Sequence, residues 1–216
     1  LSWYEKLKLS MLSLAYPANV GPFTVFASAQ QKSDALTRYQ LKEKEFFIVN
    51  AGSGGHTLNG QNCADIYYKA GLNIAKETGL KGVVVFGPNY TKSLPKSDEL
   101  ICLPSQEGTE FLALLSQAKV ALLSAGDTLL QAIALQTPTI ACAISKDQNE
   151  RVVRCASTGV VKEAELDILD ITQKIKELLL EPNYNNTVGQ YKSLESGHSF
   201  DVITKGVKAL LIGNKL

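Results

Sequence analysis

The sequence predicts a doubly wound α/β fold, with a parallel sheet covered by helices on both faces. Three observations predict it. Apolar runs of strand length recur at 46–50, 83–86, 99–103, 120–124 and 139–144. Helical patterns fall between them, near 59–78, 107–117, 127–136 and 148–157. The runs are continuously apolar, not alternating, as strands buried on both faces must be. Strands and helices in strict alternation belong to the Rossmann-like class. Its 216 residues suffice for one large domain or two small ones.

Each element has a local reason. Residues 1–40 differ from the rest: Trp3, Leu7, Leu9, Leu12 and Leu14 suggest a short amphipathic helix that ends at Tyr16-Pro17. After Gly21-Pro22 come a brief strand-like Phe23–Phe26 and a polar stretch from Ser28 to Lys44. Residues 1–40 therefore read as an arm or connector, and 41–216 as the domain. Two further helices are predicted at about 167–181 and 196–212, with Pro182 and the Asn-rich 183–187 turning the chain between them.

Composition narrows the function. Lys and Arg number 22 against 21 Asp and Glu, so the chain lacks the basic excess of a nucleic-acid binder. No apolar run approaches 18 residues, and no basic-then-apolar leader opens the chain. A cytoplasmic protein is expected. The four cysteines (Cys63, Cys102, Cys142, Cys155) form no CxxC and have no His or Asp at ligand spacing. Buried reduced thiols are the expectation, with a disulfide or zinc site as the alternative, and no metal is predicted.

Ligands of doubly wound sheets bind beyond the carboxyl ends of the strands. Three loops qualify. The first, Asn50-Ala51-Gly52-Ser53-Gly54-Gly55-His56, lets backbone amides approach a phosphate or sugar, or is only a tight turn. The second is Ser124-Ala125-Gly126-Asp127-Thr128. Its amides at 126–129, Leu129 included, form an anion cradle unless Asp127 caps the helix and repels the ligand. The third, Ser145–Arg151, offers Asp147 as a cap and Gln148 and Asn149 for a sugar or base edge, or is a polar helix start. His56 is a candidate general acid/base, and His198 reads as a surface or interface residue.

At these residues the sequence resembles a family. Phe111 to Ile140, with Ser124-Ala125-Gly126-Asp127-Thr128 and Pro138-Thr139-Ile140 inside it, is similar to the C-terminal domain of GT-B sugar-nucleotide enzymes. The MurG-like N-acetylglucosaminyltransferases and PseG-like UDP-sugar hydrolases share this pattern. Lys146–Asn149, Ala156–Val161 and the glycine loop extend the likeness to residues 45–181.

The resemblance implies one half of a GT-B fold that grips a nucleotide sugar, with a UDP-sugar as donor and no metal cofactor. It places the nucleobase against Leu103-Pro104 and the diphosphate on Gly126–Leu129, helped by Ser53 and Gly54. The ribose goes to the position of Gln131, and Gln148 approaches the sugar. Two residues depart from the pattern. Gln131 stands where the family has Glu, and Asp127 brings negative charge to the cradle. A Gly-Gly-His such as Gly54-Gly55-His56 is more typical of the family's other half, where the His is thought catalytic. Since a GT-B enzyme has two such domains, the implied partner is a missing N-terminal half or a separate subunit. A homodimer through an apolar face near the last helix is the other partner suggested. A PseG-like hydrolase and a non-catalytic interaction module are the alternative functions.

Overall fold

The computed structural model describes residues 24–191 and 203–208, together with residues 3, 4, 7 and 10. The chain divides into two units, residues 22–197 and residues 1–21 with 198–216. In the second unit the described residues 3, 4, 7, 10 and 203–208 are helical. The rest of the two terminal helices predicted for it, His198 included, lies outside the described residues.

The larger unit opens with α1 (Ala29–Arg38), inside the stretch read as an arm. Ser28 caps it: its hydroxyl accepts from the Gln31 amide at 3.2 Å, and Gln31 Oε1 accepts from the Ser28 amide at 2.8 Å. This reciprocal box satisfies two of the donors every helix start leaves open. Lys44 then reaches α3 (Gly108–Gln117), donating to the carbonyls of Ser116 and Ala118 at its end. A cation at a helix C-terminus meets the negative end of the dipole, though burial pulls the ammonium pKa below its usual value.

The sheet has six strands: β1 (Phe46–Asn50), β4 (Lys81–Val85), β5 (Leu100–Leu103), β6 (Val120–Ser124), β7 (Thr139–Cys142) and β8 (Val161–Glu163). Their order is β5-β4-β1-β6-β7-β8, and every pairing is parallel. This is the predicted doubly wound fold. On one face α2 (Cys63–Thr78) and α6 (Ile168–Leu179) bury Tyr67, Ile74, Ile171 and Ile175. On the other, α1, α3 and α4 (Asp127–Ala134) bury Ala35, Leu112, Leu115 and Ala132. A third cluster, around α5 (Lys146–Ala156), holds Val152, Cys155 and Tyr191. All four cysteines are free; Cys63, Cys142 and Cys155 are buried and Cys102 is half-buried.

Three elements differ from expectation. The first residues assigned to the helix at 59–78 form a hairpin, β2 (Thr57–Leu58) with β3 (Gln61–Asn62). Asn59 (φ 51°) and Gly60 (φ 77°) make its turn, both with the positive φ that an Asn-Gly hairpin turn needs. Pro182 and 183–187, read as a turn, lie inside α7 (Glu181–Tyr191). Pro182 is tolerated because it stands in the first turn. Tyr191 anchors the far end, fully buried, its hydroxyl 2.7 Å from the Thr137 carbonyl and 3.0 Å from that of Val160, with its one proton donated between them. Strand β8 was absent from the sequence reading, being three residues long with two of them exposed.

Candidate functional site

The strand order sets the place of the site. From β1 the chain winds outward through β4 to β5, then returns to β6 and winds the other way. The reversal falls between β1 and β6, so their outgoing loops open side by side, at the crevice where such sheets bind ligands. A cleft of about 400 Å³ lies there.

The first wall is the loop after β1. Asn50, buried at the strand end, shapes it: its Nδ2 donates to the Val85 carbonyl (2.9 Å) and its Oδ1 accepts from the Gly52 amide (3.0 Å). Gly52 turns back with φ 71°, where a Cβ would stand 3.1 Å from Ser124 Oγ. Gly87, just beyond β4, presses backbone to backbone on the loop. A Cβ there would lie 2.2 Å from the Ser53 carbonyl carbon. Asn89 N donates to the Ser53 carbonyl at 2.8 Å and extends this contact. Tyr90 fixes the loop after β4 by stacking on Phe86 at 4.5 Å and donating to Asp65 Oδ1 at 2.9 Å. Lys92 pairs with the other Asp65 oxygen. Burial and the Asp65 carboxylate push the Tyr90 hydroxyl up to about 12.

The second wall is the start of α4. Its cap is Gly126, with no side chain to bond the first amides. Asp127 is the first helical residue and does not cap. Its side chain is 93% exposed and lies 3.6 Å from Arg151, whose Nη1 also donates to the Ala125 carbonyl at 3.1 Å. The amides of Asp127 and Thr128 have no protein acceptor among the described residues, while Leu129 N bonds the Gly126 carbonyl at 3.2 Å. Open amides at a helix start are an anion site with the positive end of the dipole behind it.

At the third wall, Ser145 caps α5 by position, with no side-chain bond to the helix amides. The Ser145 hydroxyl and its own backbone amide hold the Asp147 carboxyl below the usual range, and His56 adds a small favourable charge effect. Gln148 is buried, and its Oε1 accepts from the Ile144 amide at 3.1 Å. Its Nε2 would stand 3.7 Å from a Cβ on Gly126, which places this nitrogen beside the helix start.

Of the residues singled out in the sequence, Gly52, Ser53, His56, Ser124, Gly126, Asp127, Thr128 and Gln148 line the cleft together. The others stand behind or beside it. Gly54 is buried against Tyr90, and Gly55 lies against Asn89. The Leu129 side chain is in the core, and Leu103 packs on the α3 face. Gln131 is half-buried on α4, while Pro104, Asp147 and Asn149 are exposed. The sequence reading missed Gly87, Pro88, Ser105, Gln106 and Phe111, which also line the cleft. Gly87-Pro88 straight after an apolar strand was the available signal. Among the described residues, no three His, Cys, Asp or Glu side chains converge on a metal-holding group, and no helix is long and apolar enough to cross a membrane.

Solved structures share this architecture. An S. aureus MnaA–UDP co-structure superposes with a TM-score of 0.63 at 15% identity, covering 86% of this chain and 50% of that one. The fold is one half of GT-B. A UDP-GlcNAc 2-epimerase from Neisseria meningitidis bound to UDP-GlcNAc gives 0.60 at 18% identity, with 94% of this chain and 51% of that chain covered. Phytolacca americana UGT2, complexed with UDP-2-fluoro-glucose and pterostilbene, gives 0.58 at 15%, covering 90% and 46%. The GT-B half described here thus spans about half the length of these neighbours. No protein-family model matches the chain, and no curated protein matches its sequence.

Proposed function

We propose that this chain is the nucleotide-binding, C-terminal half of a GT-B glycosyltransferase and that its donor is a UDP-sugar. One observation carries the reading: an uncapped helix start, Gly126 to Thr128, opens into a cleft at the point where the strand order reverses. The diphosphate sits on the amides of Asp127 and Thr128. Asp127 leaves them open because its carboxylate turns to Arg151. Charge developing on the leaving diphosphate is stabilised by these fixed amides and the helix dipole, so transfer needs no cation. His56 lines the same cleft and is the candidate acid/base. The acceptor and most of the catalytic machinery come from a second half, supplied by the same protein or a separate subunit, and the isolated chain is inactive in transfer.

A thermal-shift series with UDP, UDP-N-acetylglucosamine, GDP, dTDP, CMP and NAD tests the reading, with and without magnesium. A ligand at a hundred times its Kd stabilises the native state by about 2.7 kcal/mol. In a unit of this size that raises the melting temperature by roughly 5–10 °C. A shift with UDP compounds alone, unchanged by magnesium, is the expected result. Absence of any shift overturns it in favour of the interaction module, the reading that Gln131 and Asp127 would otherwise favour.

Gln131 supplies a second prediction. Restoring a carboxylate by Gln131→Glu gives the ribose hydroxyls a charged acceptor, and such bonds are about twice as strong as neutral ones. UDP should bind roughly three- to tenfold tighter by calorimetry. Unchanged affinity would show that the ribose does not reach this turn of α4.

A further inference from the structure

Arg151 stands beside the open amides of α4, and its guanidinium fork is largely unclaimed. It lies nearly one turn along α5 from Gln148, and its Nη1 donates to the Ala125 carbonyl at 3.1 Å. Asp127 is its partner by charge alone. The two side chains are 3.6 Å apart, too far for a hydrogen bond. Arg38–Glu110 and Lys176–Glu77, at 2.6 and 3.0 Å, are bonded pairs by contrast. The Nε and Nη2 donors of Arg151 meet no protein acceptor among the described residues. Exposure is mismatched as well. The Arg151 side chain is 35% exposed and that of Asp127 is 93% exposed, so the cation is largely out of water and its counter-charge is in it.

Magnitudes decide what becomes of this pair when a diphosphate arrives. An exposed ion pair is worth a factor of about five or less in an equilibrium constant, and here no hydrogen bond adds to it. A phosphate offers a guanidinium two parallel charge-assisted bonds, each about twice as strong as a neutral one. A diphosphate also carries more negative charge than one carboxylate. Reach is not an obstacle, because Asp127 supplies one of the open amides and already lies against Arg151. Gln148 brings a further donor from the same helix. It is only 7% exposed, its Oε1 is held by the Ile144 amide, and its Nε2 stands beside Gly126 with no protein acceptor among the described residues.

We infer that Arg151 is a phosphate-binding residue of this cleft and that Asp127 competes with the ligand for it. Binding exchanges the Asp127 carboxylate for a phosphate oxygen on the same guanidinium. The inference rests on the nucleotide-binding reading and adds a side-chain cation to its amides and helix dipole. Arg151 belongs to α5, which follows β7, while the resemblance sets the base beyond β5 at the opposite end of the sheet order. Arg151 therefore meets the phosphate distal to the base. That phosphate is also where charge develops as the sugar departs.

Calorimetry with UDP and UMP tests this on the intact chain, on Asp127→Ala and on Asp127→Ala with Arg151→Met. Asp127→Ala should bind UDP about threefold or more tightly than the parent, with less gain for UMP. Adding Arg151→Met should then shrink the preference for UDP over UMP about tenfold. Arg151→Lys in the same background keeps a charge and loses the fork, so its preference should fall between the two. It carries the test where the methionine variant does not fold. A UDP to UMP ratio that is the same with and without Arg151 overturns the assignment, since Arg151 would then only hold Asp127 or the Ala125 carbonyl in place. Weaker UDP binding by Asp127→Ala than by the parent also overturns it, and both results leave the nucleotide reading standing. Should another base be the one that binds, its di- and monophosphate replace UDP and UMP. Binding of no nucleotide removes the nucleotide reading, and this inference with it.

Discussion

Replacing Gly87 by alanine is expected to lower the melting temperature by roughly 6–12 °C and to abolish nucleotide binding. A Cβ at this position would stand 2.2 Å from the Ser53 carbonyl carbon and 2.3 Å from the Gly52 and Ser53 oxygens. These are backbone atoms, so no rotamer change relieves the clash, and one of the two loops must move. Overpacking costs about 1–3 kcal/mol where side chains can adjust and more where they cannot. At roughly 2–4 °C per kcal/mol for a unit of this size, the upper end of that range gives the stated shift. The displaced partner is the glycine loop itself, which Asn50 ties to both β4 and the turn at Gly52. Stability and affinity should therefore fall together. Gly108→Ala is the control, since nothing lies within 4 Å of a Cβ there. It should leave the melting temperature within about 2 °C of the original. A Gly87→Ala chain that melts and binds like the parent would show that the two loops do not press on each other.

The sheet was legible because its strands are buried on both faces. Phe46–Asn50 and Val120–Ser124 are buried at every position, so each reads as an unbroken apolar run with no amphipathic ambiguity. Elements held by tertiary anchors or turn chemistry were not legible that way. Asn183, Asn185 and Asn186 are poor helix formers, and only the burial of Tyr191 beneath β7 and β8 makes helix the better state for 181–191. The signals for α1 and the hairpin were present but overlooked: Ser28 with Gln31 three residues on is a capping box, and Asn59-Gly60 is a hairpin turn.

The candidate site divides along the same line. Residues on the strand-to-helix loops of β1 and β6 were found because glycine before a helix signals an anion site from sequence alone. Gly87, Gln106 and Phe111 were missed because their role comes from strand order, which no local pattern encodes. Asp127 shows the limit of a one-residue argument. Its effect on the cradle depended on whether it capped α4, and that is decided by Arg151, 24 positions later in the chain.

The unit should unfold in alkali between about pH 9 and 12, and three buried groups set that window. Burial raises the Cys142 thiol from 9 to about 12. It also pushes the hydroxyls of Tyr67 and Tyr191 well above their usual 10. In each case the folded state favours the neutral, protonated form. The stability this represents is complete below the unfolded pKa, and it is lost as pH rises toward the folded one, because only the unfolded chain can release the proton. For Cys142, moving from 9 to about 12 corresponds to about 4 kcal/mol, a large share of a typical domain's stability. The two tyrosines add to the slope above pH 10. Helix content by circular dichroism and phenolate absorbance should separate the events. Tyr39, Tyr68 and Tyr184, which burial raises, and Tyr90 at about 12 should ionise above the usual range, while Tyr67 and Tyr191 appear only as the helical signal collapses. Cys142→Val removes one of the three protons and should move the collapse to higher pH. If every tyrosine ionised around pH 10 with the helices intact, Tyr67 and Tyr191 would have to be open to water, and the packing of α2 and α7 described above would be wrong.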